Sequence, residues 1–388
     1  MKIAYIYYEN LKRATREGGA NVIQTLSTCS GLAQKAEVTF FHPWISDKAI
    51  EDCFKRSDIR RNFKVQKLIV LPLIYFPVLE QLGRLLFFFQ LMRHLKKEKF
   101  DLLYTRDYSF LHFLNLFPSL KPDIPIFYEA HKVYHRASKK VKSEKEEKEA
   151  IEKNCSRIFT VTSYIERDLK AIGVNVPIFR LRNAVDLNLF KQTADKKEER
   201  RAFGIPANKT VILYIGSFLD WKGVDVFLEA AKASKDPDLY FMAVGGEKKS
   251  LKHYGHKFPG LPNVRLLESQ PRQTVVRLLK ASDIGILPTI ITEGGLGELY
   301  TCPVKMLEYM AAGLPVIASD LPSIRDFLKE ENAVFFRQSD YEDLLQKIRV
   351  LKSDSELAER IRKANLEMIK DYGLEKRAEF ILEQYSQV

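Results

Sequence analysis

The sequence predicts an α/β protein made of two doubly wound parallel sheets that face a central cleft. Short apolar or β-branched runs alternate with helical patterns along nearly the whole chain, the sequence form of repeated βαβ units. The alternation breaks once near the middle and then restarts. At 388 residues with 46% hydrophobic content, the chain is longer than one core usually serves.

Taken in order, the first half offers strands at Lys2–Tyr7, Glu37–Phe41, Val65–Leu71, Asp101–Thr105, Ile124–Glu129, Arg157–Thr160 and Pro177–Leu181. Helices such as Asn21–Gln34 and Ser163–Ala171 lie between them. Between Asn188 and Lys209 charged residues crowd Lys196-Lys197-Glu198-Glu199-Arg200-Arg201 and apolar periodicity fades, so the domain boundary falls here. Strands resume at Val211–Ile215, Leu239–Val244, Val264–Leu267, Ile284–Pro288, Val316–Ala318 and Ala333–Phe336. Ligands of open parallel sheets sit beyond the carboxyl ends of the strands, which directs attention to the cleft.

The net charge of +12 is unevenly placed: residues 1–190 carry 32 Lys and Arg against 21 Asp and Glu, the remainder 30 against 29. A basic first half draws anionic partners, and a phospholipid surface, a lipid phosphate and a nucleic acid would all benefit. Cys29, Cys53, Cys155 and Cys302 lie far apart with no zinc-ligand or disulfide spacing, which fits a reducing cytoplasm. Met1 and Lys2 lead straight into the first strand, so export is not expected. The most apolar stretch, Leu68 to Val78, is too short to span a bilayer and is broken by Pro72 and Pro77. Lys139–Lys153 mixes Lys with Glu at helical spacing and reads as a solvated helix. Asp236-Pro237-Asp238 precedes a strand, the wrong end for a ligand, and reads as a turn rather than a metal motif.

Three stretches carry chemistry. Glu17-Gly18-Gly19-Ala20-Asn21 opens a helix after the first strand, where glycine amides and the helix terminus suit a phosphate. Gly216-Ser217-Phe218-Leu219-Asp220-Trp221-Lys222-Gly223 follows a buried strand; Lys222 offers point charge to a diphosphate and Ser217 a hydrogen bond. The most specific is Pro303-Val304-Lys305-Met306-Leu307-Glu308-Tyr309-Met310-Ala311-Ala312-Gly313-Leu314-Pro315, a helix with Pro at its start and Gly at its stop. One turn separates Lys305 from Glu308, so one face can offer a cation to phosphate and a carboxylate to ribose hydroxyls.

With Tyr128-Glu129-Ala130-His131 and Asn183-Ala184-Val185-Asp186, these stretches occur in the order found in the GT-B retaining glycosyltransferases of family 4, and the chain resembles that family over nearly its whole length. The resemblance implies two Rossmann-like domains. Residues 1–190 would bind the acceptor and residues 191–370 a nucleotide diphosphate sugar, UDP or GDP based, while residues 371–388 form a helix crossing back to the N-terminal domain. It implies that Glu308 binds the ribose, that Lys222 holds the diphosphate, that Gly18 and Gly19 close over the phosphates, and that His131 faces the transferred sugar. Donor contacts are further expected from Ser217, Tyr300, Thr301, Val304 and Lys305. Two departures stand out. Tyr300 replaces the first of two glutamates that family members often carry, for which Glu298 in Glu293-Gly294-Gly295-Leu296-Gly297-Glu298 is a candidate replacement; and Ser217 stands where many members have Arg, with Lys305 as compensation.

Leaving-group stabilisation by cations and amides is the expected mechanism, with no cofactor and no metal. The segment Val70–Lys99, with Phe76, Phe87, Phe88, Phe89, Leu91 and Met92 beside Arg84, Arg93, Lys96, Lys97 and Lys99, reads either as an interfacial helix or as a core helix with a basic end. The interfacial reading implies a lipid-linked glycan acceptor, work in polysaccharide or glycolipid synthesis, and a peripheral place on the cytoplasmic membrane face. No nucleic-acid partner is expected. The competing functions are a nucleotide-sugar epimerase or hydrolase on the same fold and a catalytically silent nucleotide-sugar-binding protein.

Overall fold

The computed structural model describes residues 1–8, 20–43, 47–68, 80–137, 143–191, 194–291 and 299–388. Gly18, Gly19, Glu298 and the first part of the Val70–Lys99 segment lie outside the described residues.

Seven strands, β1 (Lys2–Ile6), β2 (Glu37–Pro43), β3 (Lys64–Leu68), β4 (Leu102–Thr105), β5 (Ile126–Ala130), β6 (Arg157–Thr160) and β7 (Ile178–Arg180), form one sheet in the order 3-2-1-4-5-6-7. Six more, β8 (Thr210–Ile215), β9 (Leu239–Gly246), β10 (Val264–Glu268), β11 (Ile284–Leu287), β12 (Val316–Ser319) and β13 (Ala333–Phe336), form a second in the order 10-9-8-11-12-13. Each pairing is parallel, from Ile3 opposite Leu102 to Val316 opposite Ala333. Helices cover both faces, so central strands are apolar at every position: Ile3, Ala4, Tyr5 and Ile6 have no exposed surface. Each sheet therefore has a core on either side. In each, the strand order reverses beside the first strand, at β1/β4 and β8/β11, which opens a crevice at the carboxyl ends.

The charged stretch expected to be a break is in part a docked helix. Lys196–Phe203 is capped by the Asp195 carboxylate and closed by Gly204 at φ 62°. Glu199 and Arg200 are buried on it, paired with Arg277 and Asp283. Its buried face is ionic, so no apolar period announces it. The Lys139–Lys153 expectation needs a similar correction. The helix Glu144–Asn154 is not solvated all round: Glu147 is buried and accepts from the Tyr134 and His135 amides at 2.7 and 2.8 Å.

The helix Glu80–Lys97 packs one face into the core and ends on the basic His94, Lys96 and Lys97. Phe87, Phe88, Leu91 and Met92 enter the first domain's core, whereas Leu82 and Phe89 stay exposed. The last helix, Leu374–Tyr385, packs on Ala20–Leu32 and sends Ala378 and Ile381 into the core of the first sheet.

Candidate active site

One cavity of about 1190 Å³ lies where the carboxyl ends of both sheets meet. From the first sheet Tyr7 and Tyr8 follow β1, Arg106 and Asp107 follow β4, His131 follows β5 and Asn183 follows β7; from the second, Gly216 and Ser217 follow β8 and Ser269 follows β10. Among the predicted residues, His131, Ser217, Lys222, Tyr300, Thr301, Val304, Lys305 and Glu308 all line it.

The second domain's wall carries two lysines, Lys222 and Lys305. After β8 the chain turns through Asp220–Lys222 and leaves by Gly223 at φ 74°, where a Cβ would strike the Pro288 carbonyl at 1.6 Å, so only glycine lets the turn press on β11. The turn aims Lys222 into the cavity with its Nζ 3.6 Å from the Trp221 ring centroid; burial lowers its pKa to about 8. Lys305, in the first turn of Val304–Ala311, is buried and its Nζ has no hydrogen-bond partner among the described residues, lying 4.4 Å from the Tyr214 ring centroid. Burial first, then repulsion from Lys222, holds its pKa well below that of an ordinary lysine, although Glu308 opposes this. Glu308 itself is paired with Arg272, which opens the helix Arg272–Lys280.

The first domain's wall is organised around Glu129, which is wholly buried at the end of β5. Burial disfavours its charge, but Arg377 at 2.6 Å and Arg106 at 3.5 Å hold its pKa well below the usual carboxylate range. The Tyr104 hydroxyl also donates to it. Arg106 binds the Asn21 carbonyl and the Thr25 hydroxyl at 3.0 and 2.9 Å, which ties the start of the helix Ala20–Leu32 to this group. The His131 ring rests on the network, with Nε2 2.7 Å from Glu129 Oε1 and 3.0 Å from Arg106 Nε. Desolvation, then Arg106, pushes the His131 pKa down to about 4, so the imidazole is neutral at pH 7.

Tyr300 lies in the cavity wall, but its hydroxyl is committed elsewhere: it donates to Asp168 at 2.5 Å, and Arg136 pairs with the same carboxylate at 2.9 Å. Its ring joins the first domain's core cluster. Further links between the domains run from Ser163 to Asp326 at 2.5 Å, from Asn183 to the Cys302 carbonyl at 2.7 Å and from Arg182 to the Asp326 carbonyl at 2.7 Å. Farther into the first domain the cavity turns aromatic. Tyr108 stacks on Tyr134 at 4.5 Å, with Phe88, Phe113 and Leu116 beside them and Arg84 3.5 Å from Asp107.

Arg106, Arg272 and the Glu129–Arg377 pair were not anticipated as site groups. Arg106 and Arg272 each follow a strand's carboxyl end closely, a position that could have drawn attention, whereas Arg377 is distant in sequence and left no local signal. Among the described residues, no group of three or more His, Cys, Asp or Glu side chains is placed to hold a metal ion, and no helix is long and apolar enough to cross a membrane.

Two open parallel sheets presenting their carboxyl ends to one cavity define a GT-B type architecture, and solved structures of this type superpose on the whole chain. Anabaena Alr3699/HepE in complex with UDP aligns with a TM-score of 0.74 at 16% identity, covering all of both chains. Sucrose-phosphate synthase from Thermosynechococcus elongatus aligns at 0.76 and 17%, covering 100% of this chain and 98% of that one. Residues 195–368 match the family of glycosyl transferases group 1 and residues 18–189 match glycosyltransferase family 4; the chain belongs to this glycosyltransferase family. The D-inositol 3-phosphate glycosyltransferase of Mycobacterium sp. (strain KMS) is 28% identical over 145 residues, which is 35% of this chain and 32% of that protein. The chain thus aligns with only about a third of the length of such curated relatives.

Proposed function

We propose that this glycosyltransferase moves a hexose from a nucleoside diphosphate sugar, UDP first and GDP next, to a glycan acceptor with retention of anomeric configuration. The observation that carries the reading is the cavity wall of Lys222, Lys305 and Glu308: two lysines with no carboxylate ion pair among the described residues, and an acidic residue one helical turn from Lys305. The UDP complex of Anabaena HepE, similar in fold, favours a uridine donor.

In this reading the donor diphosphate lies against Lys222, Lys305 and Ser217, and Glu308 exchanges Arg272 for the ribose hydroxyls. Thr301 and Val304, at the mouth of the helix, border the same phosphates, and Gly18 and Gly19 approach from the other domain. As the glycosidic bond to phosphate breaks, negative charge grows on the departing diphosphate, and fixed cations in a dry site stabilise it more than water does. Neutral His131 orients a sugar hydroxyl and transfers no proton. No metal is needed for this charge, and none is assigned.

The acceptor occupies the aromatic end beside Tyr108 and Tyr134, whose stacked faces suit sugar rings. The exposed Leu82, Phe89 and Leu116, next to Arg93, Lys96 and Lys97, provide a mixed apolar and basic rim for the cytoplasmic face of an anionic membrane, so the acceptor is lipid-linked and the role lies in cell-surface polysaccharide or glycolipid synthesis. The test is incubation with UDP- and GDP-sugars and a membrane lipid extract, followed by product isolation and determination of the new anomeric linkage. A glycosylated lipid of retained configuration is expected. Release of free sugar or of an epimer without acceptor would overturn the reading.

A further inference from the structure

We propose that the enzyme takes up one proton from solvent when its nucleotide donor binds, and that Lys305 is the group that receives it. The inference rests on the donor reading above and asks more of it: the diphosphate site is charged by its ligand rather than charged in advance.

Lys305 is more than nine-tenths buried, lines the cavity and makes no hydrogen bond through Nζ among the described residues. Its surroundings are a Tyr214 ring below and the Gly216 backbone beside it, where a Cβ would come within 3.5 Å of Nζ. Among the described residues, the charged and titratable groups around it are few. Lys222, from the turn after β8, is a like charge; Glu308, on its own helix, is already neutralised by Arg272 from the start of Arg272–Lys280; Tyr214 of β8 and Tyr309 of its own helix are buried phenols held protonated by desolvation. An isolated ammonium in such a place loses its hydration and gains no counter-charge, so the amine is the stable form of the empty site. The depressed pKa of Lys305 accords with this.

A diphosphate brings two negative charges and several acceptor oxygens to the same spot. The ammonium form then gains ion pairs and charge-assisted hydrogen bonds, and one proton passes from solvent to Nζ. When the nucleotide departs, the proton is released again. Lys222, with its pKa near 8, is already largely charged at pH 7 and adds little uptake there. By linkage, an uptake of one proton weakens donor binding about tenfold per pH unit above neutrality.

The experiment is calorimetric titration of UDP-glucose, whose diphosphate diester has no group titrating near neutrality, into the full chain at pH 7 in buffers of different ionisation enthalpy. A slope corresponding to about one proton taken up per bound nucleotide is expected. Lys305→Arg, whose guanidinium stays charged, is expected to bind with a slope near zero, and Lys305→Met to bind weakly with none. Binding with the same heat in every buffer overturns the proposal while leaving the donor reading intact. Persistence of the uptake in Lys305→Arg overturns the assignment to this residue. Failure of UDP-, GDP- and ADP-sugars alike to bind overturns the donor reading, and this proposal with it.

Discussion

Lys222, Glu308 and His131 make the account testable one side chain at a time. Removing the charge at Lys222 takes a fixed cation from the developing diphosphate, and the loss of one such group costs about 100-fold to 1000-fold in turnover. Lys222→Met is expected to lower kcat by that amount, read from initial rates of sugar transfer. Glu308→Gln is expected mainly to raise KM for the donor, because ribose contacts are the same before and during bond breaking. His131 has a folded pKa of about 4 against an ordinary 6.5, so between those values the unfolded chain binds more protons and stability rises with pH. Urea unfolding at pH 5 and pH 7 is therefore expected to show a larger gain for the wild type than for His131→Gln. The pH profile of kcat/KM should show no inflection from this histidine between pH 6 and 8. At this scale the sequence singled out Lys222, Lys305 and Glu308, which the fold brings to one cavity wall. It was silent on what each side chain is bound to: the Arg272 partner of Glu308 stands 36 residues earlier, and only folding brings the two together.

Among the elements, the final helix and the segment leading into Val304–Ala311 couple the two lobes. Arg377 is the helix's contribution to the Glu129 network, and it also donates to the Leu181 carbonyl at 3.3 Å. Arg377→Met leaves a buried carboxylate short of its main counter-charge, a change that costs about 3–5 kcal/mol. Chemical denaturation should record a loss of that size. The pairing Glu129→Gln with Arg377→Met is expected to recover part of it, since the stranded charge is gone. Tyr300 supports a gentler test. Its hydrogen bond to Asp168 is charge-assisted and worth about 1.5–3 kcal/mol. Tyr300→Phe should keep the fold yet speed hydrogen exchange in Val304–Ala311, and raise KM for the donor more than it lowers kcat. The described strands were legible to within a few residues, the central ones because strands covered on both faces must be continuously apolar, as in Ile3 to Ile6 or Val211 to Ile215. Lys196–Phe203 was not, because its buried side is made of Glu199 and Arg200, and ionic burial leaves no period to read. Tyr300 stood out as a departure, but its hydroxyl's direction toward Asp168 depends on a contact 132 residues away.

At the scale of the whole molecule, the proposed function divides the labour along the charge asymmetry: the basic half would meet an anionic surface and the neutral half would hold the nucleotide. Binding to liposomes containing anionic lipid is accordingly expected at low salt and should fall steeply as ionic strength rises. Neutral vesicles should bind far less. The division into two sheets could be foreseen from length and alternation, whereas the cavity's shape, with an ionic wall facing an aromatic one, needed both lobes in place.

The central claim is that a nucleotide sugar lodges against Lys222 and Glu308, and Trp221 reports on it directly, since it lines the same cavity beside the Lys222 ammonium. In a Trp44→Phe background, which leaves Trp221 as the sole tryptophan, its fluorescence is measured while UDP-glucose and then GDP-sugars are added. A saturable change is expected, abolished when Lys222→Met and Glu308→Gln are combined. A flat titration with every nucleotide sugar, or an unchanged response in the double variant, would contradict the account.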